Sequence, residues 1–468
     1  TLQLDSDLRD VIVDKDQLRV TRFRSAEVLT VSAAGAMMNR TYLPAFISNS
    51  TRNGQSFTPS VAWRAVENPT GGVVVEIPAG TFMSGPLTLT RKINLQVDSG
   101  ATLQMLPYAS WPGTTTFING SSIQDDEISG SGTIDGQGAP WWAAYDSNSK
   151  TGRPNFIAFS GCTRVLIQDV TLQNPPTFHL MLKGNNRDLT IQGITINTPA
   201  SPNTDGMDLA STNVLIQNCH ISDGDDDIEI GGSDGPAAFI TVTNCTFGIG
   251  HGVSIGSITS GGVSNLMVIN CTFSGSDYGI RMKSDNSSSG GGSGGICRNL
   301  SYYNLGMTNI KYGMAIIYSY YEEVGTPTSI TPATAAGETV APVTARTVVW
   351  RDITISNVTA TIGSSGVAGI IWGRTELPAT NIVMSHVNIT ASKTFDIYNA
   401  QGIQFLDSTV NTGSGKTFTI WNANVTVSNT APVNNLVTFD GMGGNTNDSL
   451  ALYNARISMS GTNLFGAN

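Results

Sequence analysis

Short runs in which apolar and polar residues alternate recur along most of this chain, at a near-constant spacing. The segments at 165–172 (VLIQDVTL), 189–196 (LTIQGITI), 214–221 (VLIQNCHI), 240–247 (ITVTNCTF) and 266–273 (LMVINCTF) share one pattern. Their fifth residues, Asp169, Gly193, Asn218, Asn244 and Asn270, lie 24, 25, 26 and 26 residues apart, and the pattern returns from Ile353 and Ile382. Period-two alternation marks strands with one buried face. Self-similarity at a fixed period marks a solenoid. Little chain is left between the runs for helices, so the expected fold is an all-β parallel β-helix, one coil per repeat. Asparagine suits the repeated turn: it tolerates left-handed backbone, and its amide reaches the same residue one coil away.

A second set of short strands runs from Asn203 to Lys283. Aligning them puts Met207, Ile228, Val253 and Ile280 in one column and Leu209, Ile230, Ile255 and Met282 in another, with Asp208, Glu229, Ser254 and Arg281 between them. The position two before the first apolar column holds Asp205, Asp226, His251 and Tyr278, and Tyr312 continues that column. Two acids, a histidine and aromatics thus recur at one place in the coil.

The rest is organised around this body. Residues 1–70 read as an N-terminal arm and cap, and residues 71–468 as a single β-helical domain. Thr58 as N-cap and Pro59 at the first helical position predict a short capping helix into 60–68. Two stretches break the rhythm, 285–295 (Gly/Ser-rich) and 320–344 (Pro/Thr/Ala-rich), and read as surface loops placed to form a groove rim. Trp141-Trp142 reads as part of a packed loop.

The charge balance narrows the function classes. Lys+Arg 25 against Asp+Glu 35 gives a net charge of −10, the reverse of a nucleic-acid binder's footprint. No apolar run reaches the length of a membrane-spanning helix. The chain begins at Thr1 without a visible signal peptide and reads as a processed, secreted form. Of five cysteines, Cys219, Cys245 and Cys271 are 26 residues apart, which predicts an inward stack of small buried side chains. No His/Cys spacing suits zinc, and no cofactor or structural metal is expected.

Neighbouring strands lie about 4.8 Å apart, so Asp205, Asp225 and Asp226 crowd one face. Carboxylates that close do not all ionise normally, and at least one holds its proton to higher pH. That places an acid beside a base. Taken singly, other readings stand: Asp205 as a turn former, Asp225-Asp226-Asp227 as a solvated run or calcium site, His251 as a turn histidine, Arg281 as the partner of Glu229.

Together, Asn203-Thr204-Asp205, Gly224-Asp225-Asp226, Gly250-His251-Gly252 and Arg281-Met282-Lys283 resemble the N-T-D, G-D-D, G-H-G and R-x-K motifs of the polygalacturonases of glycoside hydrolase family 28. The resemblance implies a right-handed parallel β-helix that hydrolyses α-1,4-galacturonosidic links in pectin with inversion. It implies Asp225 as general acid and Asp205 and Asp226 as activators of water, at the wider carboxylate separation inversion needs. His251 would tune the acid. Arg281 and Lys283 would hold a galacturonate carboxylate. Asn203, Tyr312 and Tyr278, with Phe178 at the far end, would touch substrate. The partner implied is a pectic polysaccharide, polygalacturonate, and the expected state is a monomer without nucleic-acid or membrane contact. Asp227 stands where the family pattern has Cys, Met282 is a mild change, and the Gly/Ser loop lacks an expected arginine. Rhamnogalacturonan or xylogalacturonan hydrolysis, a calcium-dependent pectate lyase and a non-catalytic glycan-binding β-helix are the competing readings.

Overall fold

A computed structural model describes residues 72–430 apart from 234, 285–293, 319–331 and 415–416, with short strands before 72 and after 430. The chain divides into two compact units, Thr1–Met181 with Asn186–Thr204, and Leu182–Asn185 with Asp205–Asn468. The body of each is wound as a right-handed parallel β-helix.

In the first unit Val75, Leu95, Ile128, Ile167 and Ile191 fall in register across five parallel strands. All but Val75 are fully buried. The capping helix expected from Thr58 is not what the described part of that segment forms. Arg64–Asn68 is a strand, antiparallel to Gly72–Ile77, while 58–63 lie outside the described residues. The open edge of Gly72–Ile77 offers a ladder of backbone partners, and that tertiary gain overrides a local helix signal. Further upstream, Leu8–Asp14, Gln17–Arg22, Glu27–Ser32 and Met37–Tyr42 form an antiparallel sheet. Trp141 lies on the Ala139–Ser147 helix, its ring edge-on to Tyr108 with centroids 4.6 Å apart. The Trp142 indole donates to the Pro175 carbonyl at 2.9 Å. Both tryptophans are packed, as expected, but on a helix rather than in a loop.

In the second unit Ile216, Val242, Val268, Tyr302, Ile355, Met384 and Phe405 stack in one inward column. The Phe247 and Phe273 rings stack with centroids 4.7 Å apart. The turn asparagines behave as their type predicts. Asn218, Asn244 and Asn270 have φ of 56°, 54° and 56°. Asn304 donates its amide to Asn270 Oδ1 at 2.7 Å, and Asn357 to Asn304 Oδ1 at 2.9 Å. All five cysteines are buried free thiols. Cys219, Cys245 and Cys271 each donate to a carbonyl two residues back at 3.3 Å.

Of the two expected rim loops, 285–293 lie outside the described residues. The other, over 332–344, is largely exposed but is anchored at Ala335 and Glu338. Ala335, on the Pro332–Ala336 helix, belongs to a buried cluster with Tyr278, Tyr318, Trp372 and Tyr398. Glu338 pairs with the buried Arg374 guanidinium and accepts from Asn399 Nδ2 at 3.1 Å, and Arg374 donates to the Thr339 carbonyl at 2.8 Å.

Asn270→Val is expected to cost about 1–3 kcal/mol of unfolding free energy, because a β-branched residue is strained at positive φ. Asn270→Gly is expected to cost less. Denaturant titration of the two variants checks the order.

Candidate active site

The polar wall grows from strand register in the second unit. Met207, Ile228, Val253, Ile280 and Ala315 are successive partners; so are Leu209, Ile230, Ile255, Met282 and Ile317, and so are Asp208, Glu229, Ser254 and Arg281. The columns read from the sequence are therefore the columns of the sheet. The turns ahead of these strands are stitched to one another as well. The Gly206 amide donates to the Asp226 carbonyl at 3.0 Å, that of His251 to Asp225 at 2.6 Å, and that of Asp277 to Gly250 at 2.8 Å.

Asp226 is the hub, 2% exposed. Its Oδ1 accepts from Ser254 Oγ at 2.6 Å and Arg281 Nη1 at 3.1 Å, and its Oδ2 from Lys283 Nζ at 2.9 Å. Burial opposes its charge, but Lys283, Arg281 and then His251 outweigh burial and hold Asp226 well below the usual carboxylate range. Neither Asp226 nor Asp227 belongs to a solvated run, since both are buried. Asp205 is the opposite case. Burial first, then Asp208, Asp225 and Asp226, push it well above that range. One carboxyl of the cluster thus keeps its proton while its neighbour keeps its charge.

His251 Nδ1 lies 3.0 Å from Asp225 Oδ1 and 3.5 Å from Asp226 Oδ1, and its Nε2 lies 3.8 Å from Asp277. Burial disfavours the imidazolium, but Asp225 and Asp226 raise the ring to about 8. Arg281 Nη1 also approaches Nδ1, at 3.0 Å. One nitrogen does not both accept from Arg281 and donate to Asp225. The two carboxylates favour the donating form, so Nδ1–H faces Asp225.

Several expectations need correction. Arg281 pairs with Asp226, not with Glu229. Glu229 instead meets Lys183 at 2.9 Å, and Asp208 lies 3.9 Å from the same ammonium. The polar column is not turned to water: Asp208, Glu229, Ser254 and Arg281 are all buried. Burial lifts Asp208 to about 6 despite Lys183. Tyr312 does not continue the column, because the partner of Tyr278 is Gly313. The Tyr312 amide instead donates to the Asp277 carbonyl at 2.9 Å. Its ring is 5.2 Å from that of Tyr278. Tyr278 is buried, with the Arg281 guanidinium 4.5 Å above its ring, so it buttresses a cation. Asn203 belongs to the first unit, where its Oδ1 accepts from Arg153 Nη2 at 2.7 Å and its carbonyl from Thr177 Oγ1 at 3.1 Å. Phe178 is half-buried in that unit.

Lys183, Asp208 and Glu229 were missing from the predicted site. Asp208 and Glu229 were visible as a polar column, but only a reading of the coil before Asn203 would have found Lys183.

Ligand atoms of Asp225, Asp226 and His251 lie within 4.8 Å of one another, close enough to hold a cation. The donor chemistry fits poorly. Asp226 already neutralises two fixed cations, and His251 favours its protonated form, which is no ligand.

The site is thus an acid cluster with fixed cations on the wall of a parallel β-helix. Residues 70–410 match the family described as Glycosyl hydrolases family 28. An endo-polygalacturonase of Pectobacterium carotovorum subsp. carotovorum is 30% identical over 404 residues, covering 79% of this chain and 91% of the relative. The solved polygalacturonase from Erwinia carotovora ssp. carotovora is 28% identical at TM-score 0.57, covering 70% of this chain and 88% of that one. A family 28 exopolygalacturonase of Yersinia enterocolitica, 16% identical, matches in fold at TM-score 0.58 over 98% of this chain and 88% of that one. The chain belongs to glycosyl hydrolases family 28.

The raised His251 carries a signed consequence. Its folded value lies above the free one, so its contribution to stability is full below about 6.5 and is lost as pH rises through about 8. NMR titration of the ring should give a midpoint near 8. Asp225→Asn should move it down; an unmoved midpoint would remove Asp225 as the ring's partner.

Proposed function

We propose that this chain is a secreted, monomeric polygalacturonase that cleaves α-1,4-galacturonosidic links in pectin with inversion. The observation that carries the reading is the clustering of three acids with two fixed cations: Asp226 lies 3.1 Å from Arg281 and 2.9 Å from Lys283, Asp225 lies 3.0 Å from His251, and Asp205 is buried on the adjoining turn. In the proposed mechanism Asp225 gives its proton to the glycosidic oxygen while Nδ1–H of His251 bonds its other oxygen. Asp226 orients the attacking water and draws off its proton, with Asp205 on the same water. Arg281 and Lys283 face the galacturonate carboxylate, which supplies the cationic attraction that a chain of net charge −10 otherwise denies a polyanion. Tyr312 is read as a substrate contact, and Tyr278 as the support of Arg281.

Residues 71–468 are read as one catalytic β-helix preceded by an arm and cap over 1–70. Secretion follows from the substrate, a polymer that does not cross membranes. Among the described residues no helix is long and apolar enough to cross one. A calcium-dependent lyase is the weaker reading, because cations of the protein already occupy Asp226.

On polygalacturonate the protein should release reducing ends without an unsaturated, ultraviolet-absorbing product, and EDTA should leave the rate unchanged. Early products followed by NMR should carry the β-anomer. Asp225→Asn should lower kcat by about 10²–10⁴-fold with the melting temperature kept. A near-normal rate would refute the acid assignment. Product size, monomer alone against mixed oligomers, separates terminal from internal attack.

A further inference from the structure

Two acids that the proposed mechanism does not use lie directly under the residues that it does. Asp223 is 1% exposed and Asp227 0%. Asp223 Oδ1 accepts the backbone N–H of Asp225 at 3.0 Å. Its Oδ2 lies against Gly206, the residue after Asp205, where an added Cβ would come within 2.8 Å of it. Asp227 Oδ2 accepts the N–H of Gly252 at 2.8 Å. The same carboxyl fills the space beside Gly250, where a Cβ would lie 2.6 Å from Oδ1. His251 is therefore bracketed: the glycine on either side of it touches Asp227.

We propose that Asp223 and Asp227 are positioning residues, the first fixing the turns that present Asp205 and Asp225, the second fixing the loop that presents His251. This inference rests on the reading of the site given above. Both act as neutral acids. Among the described residues neither makes an ion pair, and Asp223 Oδ2 and Asp227 Oδ1 have no hydrogen-bond partner. A carboxylate so placed would be a buried, uncompensated charge, whereas a carboxylic acid still accepts the N–H through its other oxygen.

The charges facing them reinforce this. Asp223 faces Asp227, Asp225 and Asp226, and Asp227 faces Asp226, Asp205 and Asp277. The cations nearby, Lys283, Arg281 and His251, are engaged by Asp226 and Asp225. Burial first, then these like charges, hold both carboxyls well above their ordinary range, with the Asp225 and Gly252 amides pulling the other way. A group raised on folding contributes stability that is present below the ordinary carboxylate range and is lost as pH rises through its folded value.

The test compares Asp223→Asn, Asp227→Asn and the matching alanine variants with the full-length wild type. It measures kcat and KM on polygalacturonate, and melting temperature across pH. Alanine removes the acceptor, so kcat should fall about 10–100-fold with little change in KM, as misplaced catalytic groups do. Asparagine keeps a neutral acceptor of the same shape and should restore most of kcat. Wild-type melting should fall as pH rises above the ordinary carboxylate range, and the asparagine variants should fall less steeply. Asparagine variants as impaired as alanine, or melting profiles with unchanged pH dependence, would overturn the proposal. Where an alanine variant does not fold, the asparagine comparison decides. The melting arm uses no substrate, so it tests the neutral pair even if the polygalacturonase reading fails.

Discussion

A buried carboxylate keeps its charge here only because two cations reach it from a strand two coils further along. Asp226 sits 3.1 Å from Arg281 and 2.9 Å from Lys283. Its desolvation is costly, and losing either cation would leave a buried charge undercompensated, a change on the order of 3–5 kcal/mol. The contact exists only if Glu229, Ser254 and Arg281 stay in register, since a slip of one residue would turn Arg281 inward and replace it with Ile280 or Met282. Packing of the inward columns and ionisation of the site are thus one constraint. The apolar ladder fixes register, register brings the cations to Asp226, and the cations fix which acid is charged.

Around that hub the acids divide by environment rather than by identity. Asp226, Asp205, Asp223 and Asp227 are all buried aspartates on adjoining turns, yet of the four it is Asp226, under Arg281 and Lys283, that is held below the usual carboxylate range. The rest are pushed toward the neutral form by burial and by one another. Lys183 offsets part of the charge at Asp208 and Glu229 in the same way. Arg281 gains further support from the Tyr278 face, so a buried aromatic holds the charged group in place.

What the sequence made legible follows from the geometry of a coil. Period-two alternation fixes which residues point inward, and a repeat length fixes which residues meet, so the columns from Met207 to Met282 were readable in full. The turn asparagines were readable because few side chains tolerate left-handed backbone. The misses arose where a neighbour distant in sequence changed the outcome. Arg64–Asn68 became a strand because an open edge lay beside it. Tyr312 fell one position off because Gly313 occupies the place opposite Tyr278. Arg281 chose Asp226 over Glu229 because a lysine outside the motif region had already taken Glu229. Asp223 went unmarked, since nothing in one sequence marks a carboxyl as buried.

The strands Gly313–Tyr318 and Val367–Trp372 are immediate neighbours, with Tyr318 opposite Trp372, although some fifty residues separate them. The intervening chain carries the Pro332–Ala336 helix and Glu338, which pairs with Arg374 just past the second strand, yet the two strands stay paired. Contour length between coils is therefore uncoupled from distance between coils. Such a scaffold can gain or shed tens of residues at its outer corners, altering what flanks the groove, while the reacting groups keep their separation.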